Sequence, residues 1–255
     1  MQCSELETNQ SKEKMEIGIV GYGQMGSFMA KLLAPFACIS AFDPDPNKEK
    51  SGDVSLSEVC EKDLIFLFPP ISQFVSCCNM IAEKLRPGTV VVEGCSVMEY
   101  PIKAMKEILP SEVELVGCHP LFGPQSGKNG IDGFKIVLAS VRTTQIEVLV
   151  QLFERLNLEI LLMEPEEHDR LMAKTQSLEL LIGKILNEME IERQIISTPG
   201  FDKLIEIKSL LEEDSEDILL SIQRYNPHAK QVRDSFYEHT TRVLQKIEDL
   251  DNDAN

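Results

Sequence analysis

The 255-residue chain has no apolar run long enough to span a bilayer, although 43% of its residues are hydrophobic. No membrane partner is expected, and the length leaves room for one large or two modest cores. Cations are scarce too: 25 Lys and Arg stand against 42 Asp and Glu, a formal charge of −17. Such a surface repels nucleic-acid phosphates, so a phosphate-bearing cofactor or an anionic substrate has to be met by local features. The seven cysteines form no CxxC pair and have no His-rich companion spacing. That argues against a metal site, and their odd number argues against a disulfide framework. Residues 1–14 lack the apolar core of a signal peptide and the Arg-rich, acid-poor character of a transit peptide, and read as a flexible tail. Free thiols and a polar start are expected of a cytoplasmic chain. There is no internal repeat and no low-complexity segment.

What is present begins with a strand, a glycine turn and a helix in that order. Met15 to Val20 is a short apolar run; Gly21-Tyr22-Gly23-Gln24-Met25-Gly26 follows at once, and then an apolar helical stretch from Ser27 to Leu33. Gly21 permits the turn, Gly23 lets a pyrophosphate approach the backbone, and Gly26 allows the helix to pack closely on the sheet. A second strand-like run, Cys38 to Phe42, ends in Asp43, about 20 residues on, where a carboxylate can bind both ribose hydroxyls. The same carboxylate repels a 2′-phosphate, so the expected cofactor is NAD rather than NADP.

Strand-like and helical runs then alternate through residue 163. Strands are predicted at 64–68, 89–92, 114–117, 135–139 and 158–162, with helices near 72–85, 99–109 and 144–156. This is the pattern of an α/β fold, a Rossmann-like doubly wound, mostly parallel sheet whose ligands gather beyond the carboxyl ends of the strands. Pro69-Pro70, Gly94-Cys95-Ser96 and His119 each follow a predicted strand and are expected in one crevice. His119 opens the stretch His119-Pro-Leu-Phe-Gly-Pro-Gln-Ser-Gly-Lys-Asn-Gly130, whose proline and glycines suit a positioned acid or base. Ser96 suits either that site or an N-cap paired with Glu99. Of the cations Lys128, Arg170, Lys174 and Lys203, Lys128 has the best location, inside the glycine-rich loop.

From Glu164 the pattern is helical only. A helix starting at Pro165-Glu-Glu-His-Asp169 carries apolar residues at helical spacing as far as Leu186, and further helices are predicted near 200–212, 214–224 and from Pro227 to about 250. The chain divides into the tail, a dinucleotide-binding domain over 15–163 and an all-helical dimerisation domain over 164–255, expected to form a homodimer because its apolar faces exceed what one short bundle buries.

Read in order, Gly21 to Gly26, Ser96-Val-Met-Glu-Tyr-Pro101, His119 to Gly130, Glu167-His-Asp169, Thr198-Pro-Gly-Phe201 and Tyr225-Asn-Pro227 resemble the prephenate/arogenate dehydrogenase family, in particular its plant-type arogenate dehydrogenase branch. The resemblance implies NAD(P)-dependent oxidative decarboxylation of arogenate or prephenate, a small anionic substrate, in tyrosine biosynthesis. It implies His119 as the proton acceptor, Ser96 beside it, and Pro69 and Pro70 beneath the nicotinamide. Gln125, Ser126, Gly127 and Lys128 would cover the substrate. The chain departs from the family pattern where Met98 stands for a lysine, Leu180 for a histidine and Phe201-Asp202-Lys203 for a segment with an arginine, Lys203 offering only a point charge. Those departures leave two other expectations open: a dehydrogenase of the same fold with a different small carbinol substrate, and a non-catalytic NAD-binding dimeric regulator.

Overall fold

The computed structural model describes residues 15–45, 47, 54–213 and 216–253; the tail expected over 1–14 lies outside them. Seven strands, β1 (Met15–Val20), β2 (Ala37–Phe42), β3 (Leu64–Leu67), β4 (Val90–Glu93), β5 (Glu114–Pro120), β6 (Lys135–Arg142) and β7 (Glu159–Leu162), form one sheet in the order β2-β1-β3-β4-β5-β6-β7. The central strands are near-continuous apolar runs because both of their faces are covered. Ile65, Phe66 and Leu67 of β3 are all fully buried.

Alternate residues of each strand feed two cores. Ile17, Ile19, Phe66, Val92 and Val116 meet Met29 and Leu33 of α1 (Gln24–Leu33) and Leu152 and Phe153 of α5 (Ile146–Glu154). Ile65, Leu67, Val91 and Leu115 meet Phe74 and Ile81 of α3 (Phe74–Ile81) and Met105 of α4 (Glu99–Ile108). A short helix α2 (Leu56–Cys60), unread in the sequence, starts at a capping box in which Ser55 and Glu58 exchange hydrogen bonds. Between β1 and β3 the chain winds in opposite directions, so a crevice opens at the carboxyl ends of these strands.

All strand pairs are parallel except β5 with β6. The connection between those two, residues 121–134, contains no helix, and without a crossover element the chain must return antiparallel. That pairing sets His119 opposite Val137 and Pro120 opposite Ile136. The strand therefore runs three residues past its predicted end, and His119 is held in the sheet rather than in the loop after it.

The helical part comprises α6 (Pro165–Lys174), α7 (Gln176–Glu188), α8 (Pro199–Glu213), α9 (Glu216–Tyr225) and α10 (Ala229–Asp253), and no strand occurs there among the described residues. Pro165 sits in the first turn of α6 with Glu166 and Glu167, as favoured by fixed φ and by the helix dipole. The single helix predicted from Pro165 to Leu186 is broken at Thr175, whose φ of −109° and ψ of −95° depart from helical values. The second half, α7, is redirected onto α8 and α9.

Candidate active site

The glycine turn uses its three glycines for three different reasons. Gly21 has φ +95°, and a Cβ there would stand 2.6 Å from the Phe68 carbonyl oxygen. A Cβ on Gly26 would stand 1.9 Å from the Gly21 oxygen, so close helix packing depends on its absence. A Cβ on Gly23 meets nothing within 4 Å, which leaves open space over the turn. Gly23 is the N-cap of α1, no side chain caps that end, and its first turn carries no acid. Such a terminus is a fitting cradle for a pyrophosphate. Tyr22 and Met25 pack their side chains against the core, Gln24 is exposed, and Pro69 adjoins Gly21 while Pro70 faces solvent. Asp43, buried, accepts the N–H groups of Tyr22 at 2.7 Å and Asp45 at 2.9 Å. It therefore ties the glycine turn to the end of β2.

One strand beyond β4, His119 is 4% exposed, and its Nδ1 lies 2.8 Å from Nε2 of His168. Nδ1 of His168 in turn lies 2.8 Å from Oδ1 of Asp169. Asp169, fully buried, also accepts the backbone N–H groups of Met98 at 2.8 Å and Glu99 at 3.0 Å. A carboxylate accepting three hydrogen bonds has only acceptors to offer, so His168 donates from Nδ1, its Nε2 then accepts, and His119 must donate from Nδ1. The chain of bonds therefore leaves a lone pair on Nε2 of His119. Burial, and then the neighbouring His168, hold the His119 ring well below the usual imidazole range, so it is neutral at physiological pH.

Asp169 explains why α4 starts where it does. Its N-cap is Met98, which has no side chain to cap with, and the unpaired N–H groups are taken by a carboxylate 70 residues away. Ser96 is thus not the cap of α4, and its hydroxyl makes no hydrogen bond among the described residues. Asn226 donates to the Asp169 carbonyl oxygen at 2.8 Å, and His228 Nε2 lies 3.0 Å from Oε1 of Glu99. The sequence reading missed the part His168 and Asp169 play; the signal was the Glu167-His-Asp169 stretch, read there as a helix start.

The remaining expected substrate contacts are less gathered. Ser126 uses its hydroxyl within its own turn, accepting from the Gly123 N–H at 2.9 Å. Gly127 is buried against Phe28, whose Cζ would lie 2.7 Å from an added Cβ. Gln125, Lys128 and Lys203 are exposed, and among the described residues no hydrogen bond or ion pair joins them to His119 or Ser96. Leu180 is buried with Val97 and Ile71, next to the Ser96 loop. Burial raises the thiol of Cys60 to about 11 and those of Cys77 and Cys78 to about 12, leaving them unreactive. No group of three or more His, Cys, Asp or Glu among the described residues is arranged to hold a metal ion.

Residues 44–161 match the family described as prephenate dehydrogenase, nucleotide-binding domain, and residues 185–255 match the TYRAAT1-like, C-terminal domain. Residues 44–161 thus belong to the nucleotide-binding domain family of the prephenate dehydrogenases. Arogenate dehydrogenase 1, chloroplastic, of Arabidopsis thaliana is 25% identical over 242 residues, covering 88% of this chain and 38% of that protein. Arogenate dehydrogenase 2, chloroplastic, of the same plant is 26% identical over 232 residues, covering 84% and 65%. The chain thus spans less than two thirds of these relatives' length. Among solved structures, prephenate dehydrogenase from A. aeolicus in complex with hydroxyphenyl propionate and NAD+ superposes with a TM-score of 0.72 at 17% identity, over 94% of each chain. Synechocystis arogenate dehydrogenase gives 0.68 at 18%, over 92% of each. At such identities the superpositions speak for the shared prephenate/arogenate dehydrogenase fold.

Proposed function

We propose that the protein is a nicotinamide-dependent dehydrogenase that oxidises and decarboxylates arogenate or prephenate. The observation that carries this is the His119–His168–Asp169 chain, aimed so that one basic nitrogen is left free at the carboxyl end of the sheet that bears the glycine turn. A bound nicotinamide supplies the acceptor for the hydride leaving the carbinol carbon. Nε2 of His119 accepts the hydroxyl proton, His168 and Asp169 hold the ring in that tautomer and support the cation that forms, and Ser96 bonds the hydroxyl and orients it. Loss of the ring carboxylate as CO2 then completes an aromatic phenol, which makes the sequence irreversible.

NAD is the preferred cofactor because Asp43 sets a carboxylate at the ribose. Gln125, Gly127 and Lys128 remain the proposed cover over the substrate; Ser126 contributes by shaping that turn, and Lys203 is the proposed cation for a substrate carboxylate. The reading includes a homodimer. Tyr237, Val243, Leu244, Ile247 and Leu250 of α10 are each more than half exposed, and Phe236, Thr240, Val243, Ile247 and Leu250 follow heptad spacing, which supports a second copy as what covers them.

The experiment is nicotinamide reduction by purified protein offered arogenate and prephenate separately, each with NAD and with NADP. Turnover that His119→Asn reduces by about 10²-fold or more is expected; turnover unaffected by that substitution would falsify the mechanism. A second reading, the same chemistry on a less polar carbinol, is favoured by the apolar Met98 and Leu180 near Ser96. Hydride transfer from a different small carbinol with no turnover of either acid selects it, and NAD binding without any turnover selects the non-catalytic regulator.

A further inference from the structure

A buried carboxyl that the chemistry above does not use lies under the same site. Glu93 ends β4 and is 0% exposed. Its register partner is Gly117, two residues before His119, so Glu93 and His119 rise from one face of the sheet. Gly117 has no side chain, and Met98 fills the space: its Sδ lies 2.7 Å from where a Gly117 Cβ would be. The nearby side chain is a thioether rather than a cation, and no Lys or Arg pairs with Glu93 among the described residues. Oε2 of Glu93 accepts the Cys95 N–H at 2.9 Å, while Oε1 is buried without a hydrogen-bond partner among those residues. The Cys95 amide lies in the turn that carries the chain from β4 to Ser96.

We propose that Glu93 is a positioning residue: an uncharged acid whose bond to Cys95 fixes the turn presenting Ser96, and whose neutrality leaves Asp169 as the anion behind His168 and His119. The proposal rests on the dehydrogenase reading. Burial first, and then the charge of Asp169, push the Glu93 carboxyl well above the usual carboxylate range, against the opposing pull of the Cys95 and Cys118 backbone. A second buried anion beside Asp169 would raise the proton affinity of His119 and slow release of the captured proton. A neutral acid of the same shape avoids that while keeping its bond to the turn.

Two variants separate the roles. Glu93→Gln keeps the shape and an acceptor and is always neutral; Glu93→Leu removes the acceptor. The Gln variant is expected to stay within about threefold of wild type in kcat/KM with its acid limb unmoved, and the Leu variant to lose about tenfold or more, in kcat rather than KM. An acid limb displaced by about one unit in Glu93→Gln, or a Leu variant equal to wild type, overturns the proposal. Should the Leu variant fail to fold, thermal midpoints of wild type and Glu93→Gln against pH decide without activity. A carboxyl raised in the folded state holds its stability below the unfolded value of about 4.5 and loses it as pH rises towards the folded value. Wild type is therefore expected to fall progressively below the Gln variant from about pH 4.5 upward; parallel curves overturn the proposal. This arm reads the same whether or not arogenate or prephenate is turned over, so its failure is distinct from failure of the dehydrogenase reading.

Discussion

A histidine becomes a directed base through what holds its other nitrogen. His119 donates from Nδ1 to His168, which is held by Asp169, so only Nε2 can take a proton. Because His119 is pushed below the usual imidazole range by burial, its neutral form, the base of the proposed mechanism, persists below pH 6.5. We expect kcat/KM to be level across neutral pH and to fall only on the acid side of 6.5, as a pH–rate profile will measure. His168→Phe removes the acceptor for the Nδ1 proton; kcat is expected to fall by about 10²-fold with KM little changed. His119 was legible as a candidate because of its proline and glycines, whereas its partner was not. His168 is 49 residues away, and no local rule joins two histidines at that distance.

Elements position these residues, and two of them can be tested separately from the chemistry. At the glycine turn, Gly26→Ala forces a Cβ against backbone at 1.9 Å, whereas Gly23→Ala enters open space. Gly23→Ala is expected to keep the thermal midpoint and weaken dinucleotide binding in a titration; Gly26→Ala is expected to lower both. At the start of α4, Asp169→Ala leaves two backbone N–H groups and one imidazole without their acceptor. A loss of about 3 kcal/mol is expected, roughly 6–12 °C in thermal midpoint, together with loss of turnover. The glycine pattern and the Pro165 helix start were readable because each is a rule about neighbouring residues. The break at Thr175 was not, since apolar spacing continues through it and the redirection of α7 depends on α8 and α9.

For the molecule as a whole, α6 and the turn between α9 and α10 meet the carboxyl end of β5 and the start of α4. α6 contributes His168 and Asp169, Asn226 holds α6 from the far side, and His228 meets Glu99. The last helix is 25 residues long, about 37 Å, and its far half stands clear of the rest of the chain. In the homodimer we propose, that stripe is covered by a second copy. Val243→Glu with Ile247→Glu is expected to leave helix content by circular dichroism unchanged and to convert the dimer to a monomer in sedimentation equilibrium. A monomeric wild type, or a dimeric double variant, would remove α10 as the interface.

The amino-acid sequence by itself determined the alternation of strands and helices, the parallel core strands, the dinucleotide turn with Asp43 at the end of β2, and the change to helices near residue 163. Each follows from periodicity or from the backbone freedom of a particular glycine or proline, which act over a few residues. Tertiary structure alone decided that β5 and β6 run antiparallel and keep His119 in the sheet, that Asp169 caps a helix 70 residues away, and that Glu93 lies fully buried beneath the site. Those depend on which surfaces meet once apolar faces are buried, and on how a low-dielectric interior redistributes protons and hydrogen bonds among the polar groups brought together there.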